Sequence, residues 1–413
     1  MRAACMPSMW VSMVKPERMR AVVRLLLMLL LSFPCIVAAT PRIGVATMQP
    51  GGIFWERFGH DAIVVADDAT GTATSYNFGF FDPAEPGFIG NFVRGHMRYR
   101  LVALPFEDDL VLYRDEGRGV RIQWLDLTDA QAGSLAASLA VNARPENAVY
   151  TYDYFRDNCA TRVRDAIDRS LGGVLRSQLE GRSRGATYRS EAVRLASPAP
   201  WMWLGFDIGL GPRADVPLSL WEEAFVPMHL SAALDDIRID GRPLVRATQE
   251  ILPHRIAPEP AGSSRPVSPW LASGLALGLL LAFTARRAPR MVLAFALPFW
   301  LAGGFLGTLM LFIWLATVHV FGWENHNLLL LSPLSWLLVP GAFRGLRRRA
   351  PGRVFDWALA LVALLAAVGM FVSWLPLPAQ DNTRWIALLL PLHVGLWVGL
   401  RGISRPAAAS IAR

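Results

Sequence analysis

Two residues carry the clearest capacity for chemistry. Cys159 lies in YDYFRDNCATRVRDAID, and His60 lies about 100 residues earlier in ERFGHDAIVV. A thiol with a histidine base is the equipment of acyl transfer through a thioester. Asp157 or Asn158 can cap a predicted helix that starts at the cysteine. Ala160, Val163, Ile167 and Leu171 fall on one face, and Gly172-Gly173 ends it. The charged residues Arg162, Arg164, Asp165, Asp168 and Arg169 are expected mostly away from that face. The unpaired N–H groups and dipole at a helix start lower a thiol's pKa, which favours the nucleophilic thiolate. Alone, a cysteine is more often a buried small hydrophobe and a histidine beside a strand more often structural. Together, in an exported domain with no other thiol, they favour catalysis.

Export is read from the N-terminus. Lys15, Arg18, Arg20 and Arg24 precede the run LLLMLLLSFPCIVAA, with a small-residue cleavage site before Thr40. Segment 1–39 is therefore a signal peptide or an N-terminal anchor. Cleavage removes Cys5 and Cys35, so no internal disulfide remains.

Around the pair, DAIVVAD, TSYNFGFF and GVRIQWLDL read as strands from their β-branched and aromatic content, with ATGT as a turn. LTDAQAGSLAASLAVNAR reads as a helix capped by Thr128 or Asp129. The predicted cysteine–histidine domain spans 40–252, and the Pro/Ser-rich stretch 253–269 is a linker.

The chain is 53% hydrophobic, high for a soluble protein, and the apolar residues gather in the C-terminal third. A helical domain at 270–402 holds about five candidate spans, near 270–285, 291–318, 328–343, 354–375 and 384–400, before a tail at 403–413. The first and third are short for a span. RRAPR, RGLRRRAPGR and RGISR are basic, whereas HVFGWENHN and LPLPAQDN contain no lysine or arginine. The positive-inside rule puts the basic loops in the cytoplasm and the soluble domain with the neutral loops outside. The net charge of +8 rests almost wholly on arginine, much of it flanking these spans. No basic stripe interleaved with aromatics suggests nucleic acid.

At these residues a resemblance emerges. FGHDAIVV, YNFGFFD, NFVRGHMRYRL and YTYDYFRDNCATRVRDAID resemble, in order, the signature blocks of the Lnb lipoprotein N-acyltransferase family. LGPRADVPLSLWEEAFVPMHL is similar to that domain's closing block, and HVFGWENHNLLLLSP to the family's histidine–asparagine loop. The resemblance implies an α+β, papain-like domain of the permuted NlpC/P60 type, followed by the all-α transmembrane bundle. It implies a bacterial inner-membrane enzyme with its N-terminal domain in the periplasm. The acyl donor would be a phospholipid and the acceptor a lipoprotein, with no cofactor.

In that reading Cys159 is the nucleophile and His60 its base. Asn77 or Tyr76, on the next strand, would orient the histidine. Arg94 and His96 would bind a phosphate head group or be simply solvated. Asn158 would help an oxyanion hole or only cap the helix. His319, Asn325 and Asn327 match the family's loop. Here TVHV stands where an acidic residue is expected directly before the histidine, which weakens a His–Asp coupling. No cysteine or carboxylate set accompanies His319 and His326 at ligand spacing, so no metal is expected. The alternatives are an NlpC/P60-like cell-wall amidase or peptidase, and a non-enzymatic membrane-anchored binding protein with an inert Cys159.

Overall fold

The computed structural model describes residues 40–262 and 265–403. The predicted signal segment, with Cys5, Cys35 and its cleavage site, lies outside the described residues, as does most of the tail.

The soluble part is built on a seven-stranded antiparallel sheet. Its strands are β1 (Arg42–Met48), β2 (His60–Asp67), β3 (Thr72–Phe80), β4 (Arg98–Pro105), β5 (Val120–Leu125), β6 (Val149–Thr151) and β7 (Val245–Leu252). Their spatial order is β6-β4-β3-β2-β1-β5-β7. The helices of seven residues or more are, in chain order, α1 (Phe88–Arg94), α2 (Phe106–Asp115), α3 (Asp129–Asn142), α4 (Cys159–Ser170), α5 (Tyr188–Ala196), α6 (Pro200–Gly209) and α7 (Pro227–Asp236).

Strand alternation divides the core between the two faces of the sheet. Val45, Ile63, Tyr76 and Phe78 pack with α3, α4 and α7 through Leu135, Val163, Ile167 and Leu230. Ala46, Met48, Ala62 and Val64 pack with Leu110 and Tyr113 of α2 on the other side. Thr128 closes a capping box with Gln131 at the start of α3, as its sequence implies. Strand β7 carries no apolar alternation and is mostly exposed, so sequence pattern alone does not mark it.

Arg164 and Asp168, expected away from the apolar face of α4, are buried all the same. Arg164 donates to the Trp221 carbonyl at 2.6 Å and lies over that residue's ring. Asp168 accepts the Arg176 backbone N–H at 3.0 Å. The segment after α4 folds back over the helix and supplies partners that make burial tolerable.

Among the described residues, five helical stretches are long and apolar enough to cross a membrane. Four are α8 (Ser268–Arg287), α9 (Pro289–Ala316), α11 (Arg353–Phe371) and α12 (Thr383–Leu400). The remaining stretch, His326–Leu346, is broken into short 3-10 turns that lead into α10 (Val339–Leu346). Pro333 and Pro340 account for that break, since each removes a backbone donor. Gly274 and Gly278 of α8 face carbonyls of Ala387 and Pro391 on α12, and a side chain there would collide with backbone. Small residues let two membrane helices approach this closely.

Candidate active site

Cys159 is the first residue of α4, and Asn158 is its cap. Asn158 Oδ1 accepts the Thr161 N–H at 2.9 Å, while the Thr161 hydroxyl accepts the Asn158 N–H at 2.8 Å. The Asn158 amide also donates to the Tyr154 and Phe225 carbonyls, at 3.1 and 2.9 Å. Both amide hydrogens are thus engaged in holding the turn, which leaves no donor for an oxyanion.

His60 opens β2, and β3 brings Asn77 to it. His60 Nε2 lies 3.0 Å from Asn77 Oδ1. The Asn77 amide donates to Asp109 Oδ2 at 2.8 Å and to Ser75 Oγ at 3.2 Å. These bonds decide the tautomer. A carboxylate only accepts, so Asn77 must turn its nitrogen to Asp109 and its oxygen to His60. Nε2 then carries the hydrogen, and the neutral ring keeps its lone pair on Nδ1. Burial lowers the His60 pKa, Arg118 adding to it, against the opposing pull of Asn77 and Asp109. The ring is therefore held neutral, as a base must be.

Asn77 is thus the group that orients His60. Tyr76 alternates to the opposite face and is packed in the core with Ile63 and Phe78. Asp109 was not expected. It sits among the acidic residues of the first turn of α2, where acids are ordinary helix starters.

The thiol and the base meet the sheet at the same end. A side chain at Gly79, near the end of β3, would contact the Cys159 Cβ at 3.7 Å. Gly79 has φ +92°, in the left-handed region, beside a shift in the β3–β4 register between Asn77 and Phe80. Backbone N–H groups of Asp61, Ala160 and Cys159 favour the negative form of the sulfur. Asp61 directly follows His60, so the sulfur lies against the first residues of β2. Among the described hydrogen bonds, none joins the His60 ring to Cys159.

The low thiol pKa expected from the helix start is overturned. Burial, with the Asp61 carboxyl adding to it, pushes the Cys159 thiol up to about 12, despite the backbone N–H groups that favour the thiolate. Desolvation of the anion outweighs the helix terminus. Asp61 is itself fully buried, and burial raises its carboxyl well above the ordinary carboxylate range. At the thiol, burial is the larger influence and the Asp61 carboxyl the second. Asp61 Oδ1 accepts the Thr47 hydroxyl at 2.7 Å, and the buried Oδ2 has no hydrogen-bond partner among the described residues.

The remaining sequence candidates spread over three further places. Arg94 ends α1 and His96 follows it, both with exposed side chains. His319 is brought close to the cysteine turn: the Tyr154 hydroxyl lies 3.3 Å from its Nδ1, and its Nε2 lies 3.0 Å from the Phe92 carbonyl. Asn325 and Asn327 instead clamp the end of α6. Both donate to the Ile208 carbonyl, at 2.8 and 3.0 Å, and Asn325 donates also to Leu210. Among the described residues no group of three or more histidine, cysteine or carboxylate side chains is placed to hold a metal.

Comparison with known families matches two models in order along the chain. Residues 38–192 match the Lnb N-terminal periplasmic domain, and residues 262–401 match the Lnb transmembrane domain. No curated protein and no solved structure matches the chain. With the first two thirds of the soluble α/β domain in one model and the five apolar stretches in the other, the chain belongs to the Lnb family.

Proposed function

We propose that this protein is a lipoprotein N-acyltransferase that works through a cysteine thioester. The observation that carries the reading is the Asp109–Asn77–His60 chain. It presents a neutral base at the end of the sheet where the thiol begins α4. Family membership supports an acyltransferase of the membrane. The predicted signal and the arginine-rich loops support a periplasmic domain on the inner membrane.

Nδ1 of His60 takes the Sγ proton as Cys159 attacks the ester carbonyl of a phospholipid acyl chain. The tetrahedral adduct expels the lysolipid alkoxide, which receives that proton, and Cys159 is left as an acyl-thioester. The neutral α-amine of a diacylglyceryl-cysteine lipoprotein then attacks the thioester. It passes its proton through His60 to the departing sulfur. Hydrogen bonds in such dyads commonly tighten when substrate binds, so the open His60–Cys159 geometry fits a resting state. The backbone N–H groups gathered at the sulfur stabilise the thiolate as it forms.

The test is replacement of Cys159 by Ala or Ser in cells without another N-acyltransferase, followed by mass spectrometry of lipoprotein N-termini. Loss of N-acylation is expected. Unchanged N-acylation would refute the proposal, and release of free fatty acid or peptide fragments without transfer would favour a hydrolase.

A further inference from the structure

Large apolar side chains stand exposed around the approach to Cys159. Ile89 on α1 is 74% exposed, Trp201 at the start of α6 is 66% exposed and Trp55 is 59% exposed. They form one connected collar. The Trp55 ring meets Phe81 at 6.1 Å, and Phe81 stacks on Phe88 of α1 at 5.6 Å. On the other side Phe54 stacks on Trp201 at 5.8 Å. The collar leads straight to the reacting groups. Trp55 is in the turn that runs into His60, and Phe81 follows Gly79, which abuts Cys159.

The collar is tied at both ends to the membrane helices. At one end the Val318 N–H donates to the Arg94 carbonyl at 2.9 Å, and His319 bonds the Phe92 carbonyl. Residues 318 and 319 directly follow the end of α9 at Ala316, where Leu315 is exposed. At the other end Trp203 meets Trp270 near the start of α8 at 6.5 Å, and Leu204 and Ile208 pack into the bundle core. A segment fixed within a few residues of a spanning helix lies in the interfacial layer of the bilayer, where exposed aromatic side chains are at home.

We propose that α1, the Phe54–Trp55 turn and Trp201 form a lip seated in the outer leaflet, so that the Cys159 site opens onto lipid rather than onto bulk water. The occupant is the bilayer itself, because the apolar surface is continuous with the lipid-facing end of α9. This inference needs only the membrane bundle and does not depend on acyl transfer.

A photoreactive benzoylphenylalanine is placed in turn at Ile89, Trp55 and Trp201 in the full chain. The protein is reconstituted in vesicles of phosphatidylethanolamine and phosphatidylglycerol and irradiated. Thr70, exposed at the far end of the β2–β3 hairpin, is the control. Lipid adducts are expected at the three lip positions and not at Thr70. Absence of lipid adducts at the lip, or crosslinks only to a second copy of the chain, would overturn the proposal. As a second measurement, the double variant Ile89→Glu, Trp55→Glu is compared with the unaltered chain. Alkylation of Cys159 by a long-chain alkyl maleimide dissolved in the bilayer should fall at least tenfold, with little change for iodoacetamide. Equal effects on both reagents would count against the lip. Lipid adducts in a protein that never forms the Cys159 thioester would sustain the lip and refute the acyl-transfer reading.

Discussion

With the thiol pushed up to about 12 and the imidazole pushed down, Cys159 and His60 form a neutral pair at pH 7. Proton transfer must accompany attack rather than precede it. Alkylation of Cys159 by iodoacetamide is accordingly expected to be slow at pH 7 and to keep rising through pH 9 and beyond. A plateau near neutrality would show a preformed thiolate. The acid limb of kcat/KM should fall below the ordinary histidine value of about 6.5, because burial holds His60 neutral. Asp61 gives a separate test through stability. Its folded-state pKa is raised, so the folded chain keeps a proton that the unfolded chain releases. That cost is absent below the unfolded value of about 3.9 and grows as pH rises towards the folded value. Asp61→Asn should therefore raise the thermal midpoint more at pH 8 than at pH 4, measured by differential scanning calorimetry.

At the scale of the elements, β3 comes close to the start of α4 at Gly79. Its positive φ favours glycine, and a side chain there would touch Cys159. Gly79→Ala should cost about 1–2 kcal/mol from the left-handed backbone alone, read by denaturant unfolding. It should also slow alkylation of Cys159. Helix α2 contributes through Asp109, which turns the Asn77 amide. Asp109→Ala leaves that amide held only by the longer bond to Ser75 and the histidine less firmly aligned. A loss of about tenfold to a hundredfold in kcat, with Cys159 alkylation at high pH unchanged, is the expected signature of misplacement.

Across the whole molecule, the soluble domain is bolted to the bundle through the end of α6. Arg189, almost fully buried, pairs with Asp215 at 2.8 Å and donates to the carbonyls of Asp207 and Leu210, each at 2.7 Å. Asp215 in turn accepts the Asp381 N–H at 3.1 Å, and the Leu210 carbonyl accepts from Asn325 and Gln380. Removing the arginine strands a buried carboxylate. Arg189→Ala is expected to lose about 3–5 kcal/mol, seen as a lower thermal midpoint of the full chain in detergent. Proteolysis should then reach the segment 207–215. Because this joint also sets the height of the lip, N-acylation should fall with it although Arg189 touches neither reacting group.

Local chemistry and periodicity suffice for much of this protein. The cap, apolar face and glycine end of α4 follow from short-range residue preferences, so they are legible around Cys159. Length and hydropathy mark the apolar spans, because the bilayer demands nothing subtler. Strands β2, β3 and β5 declare themselves by side-chain type. Other features depend on residues far apart in the chain. The exposed strand β7 exists only because β5 offers it a partner edge. Asp109 looks like any acid in a first helical turn until α2 sets it beside Asn77. The thiol's pKa also reverses its expected direction on folding. A helix start favours the anion locally, but desolvation is a property of everything packed around the sulfur. Asn325 and Asn327, polar residues at a membrane boundary, become the clamp on α6 only when two distant segments meet. The sequence alone thus singled out the cysteine, the histidine and the membrane. Tertiary packing decided their protonation, the third group and the tie to the bundle, because burial and partnership arise only when distant segments enclose one another.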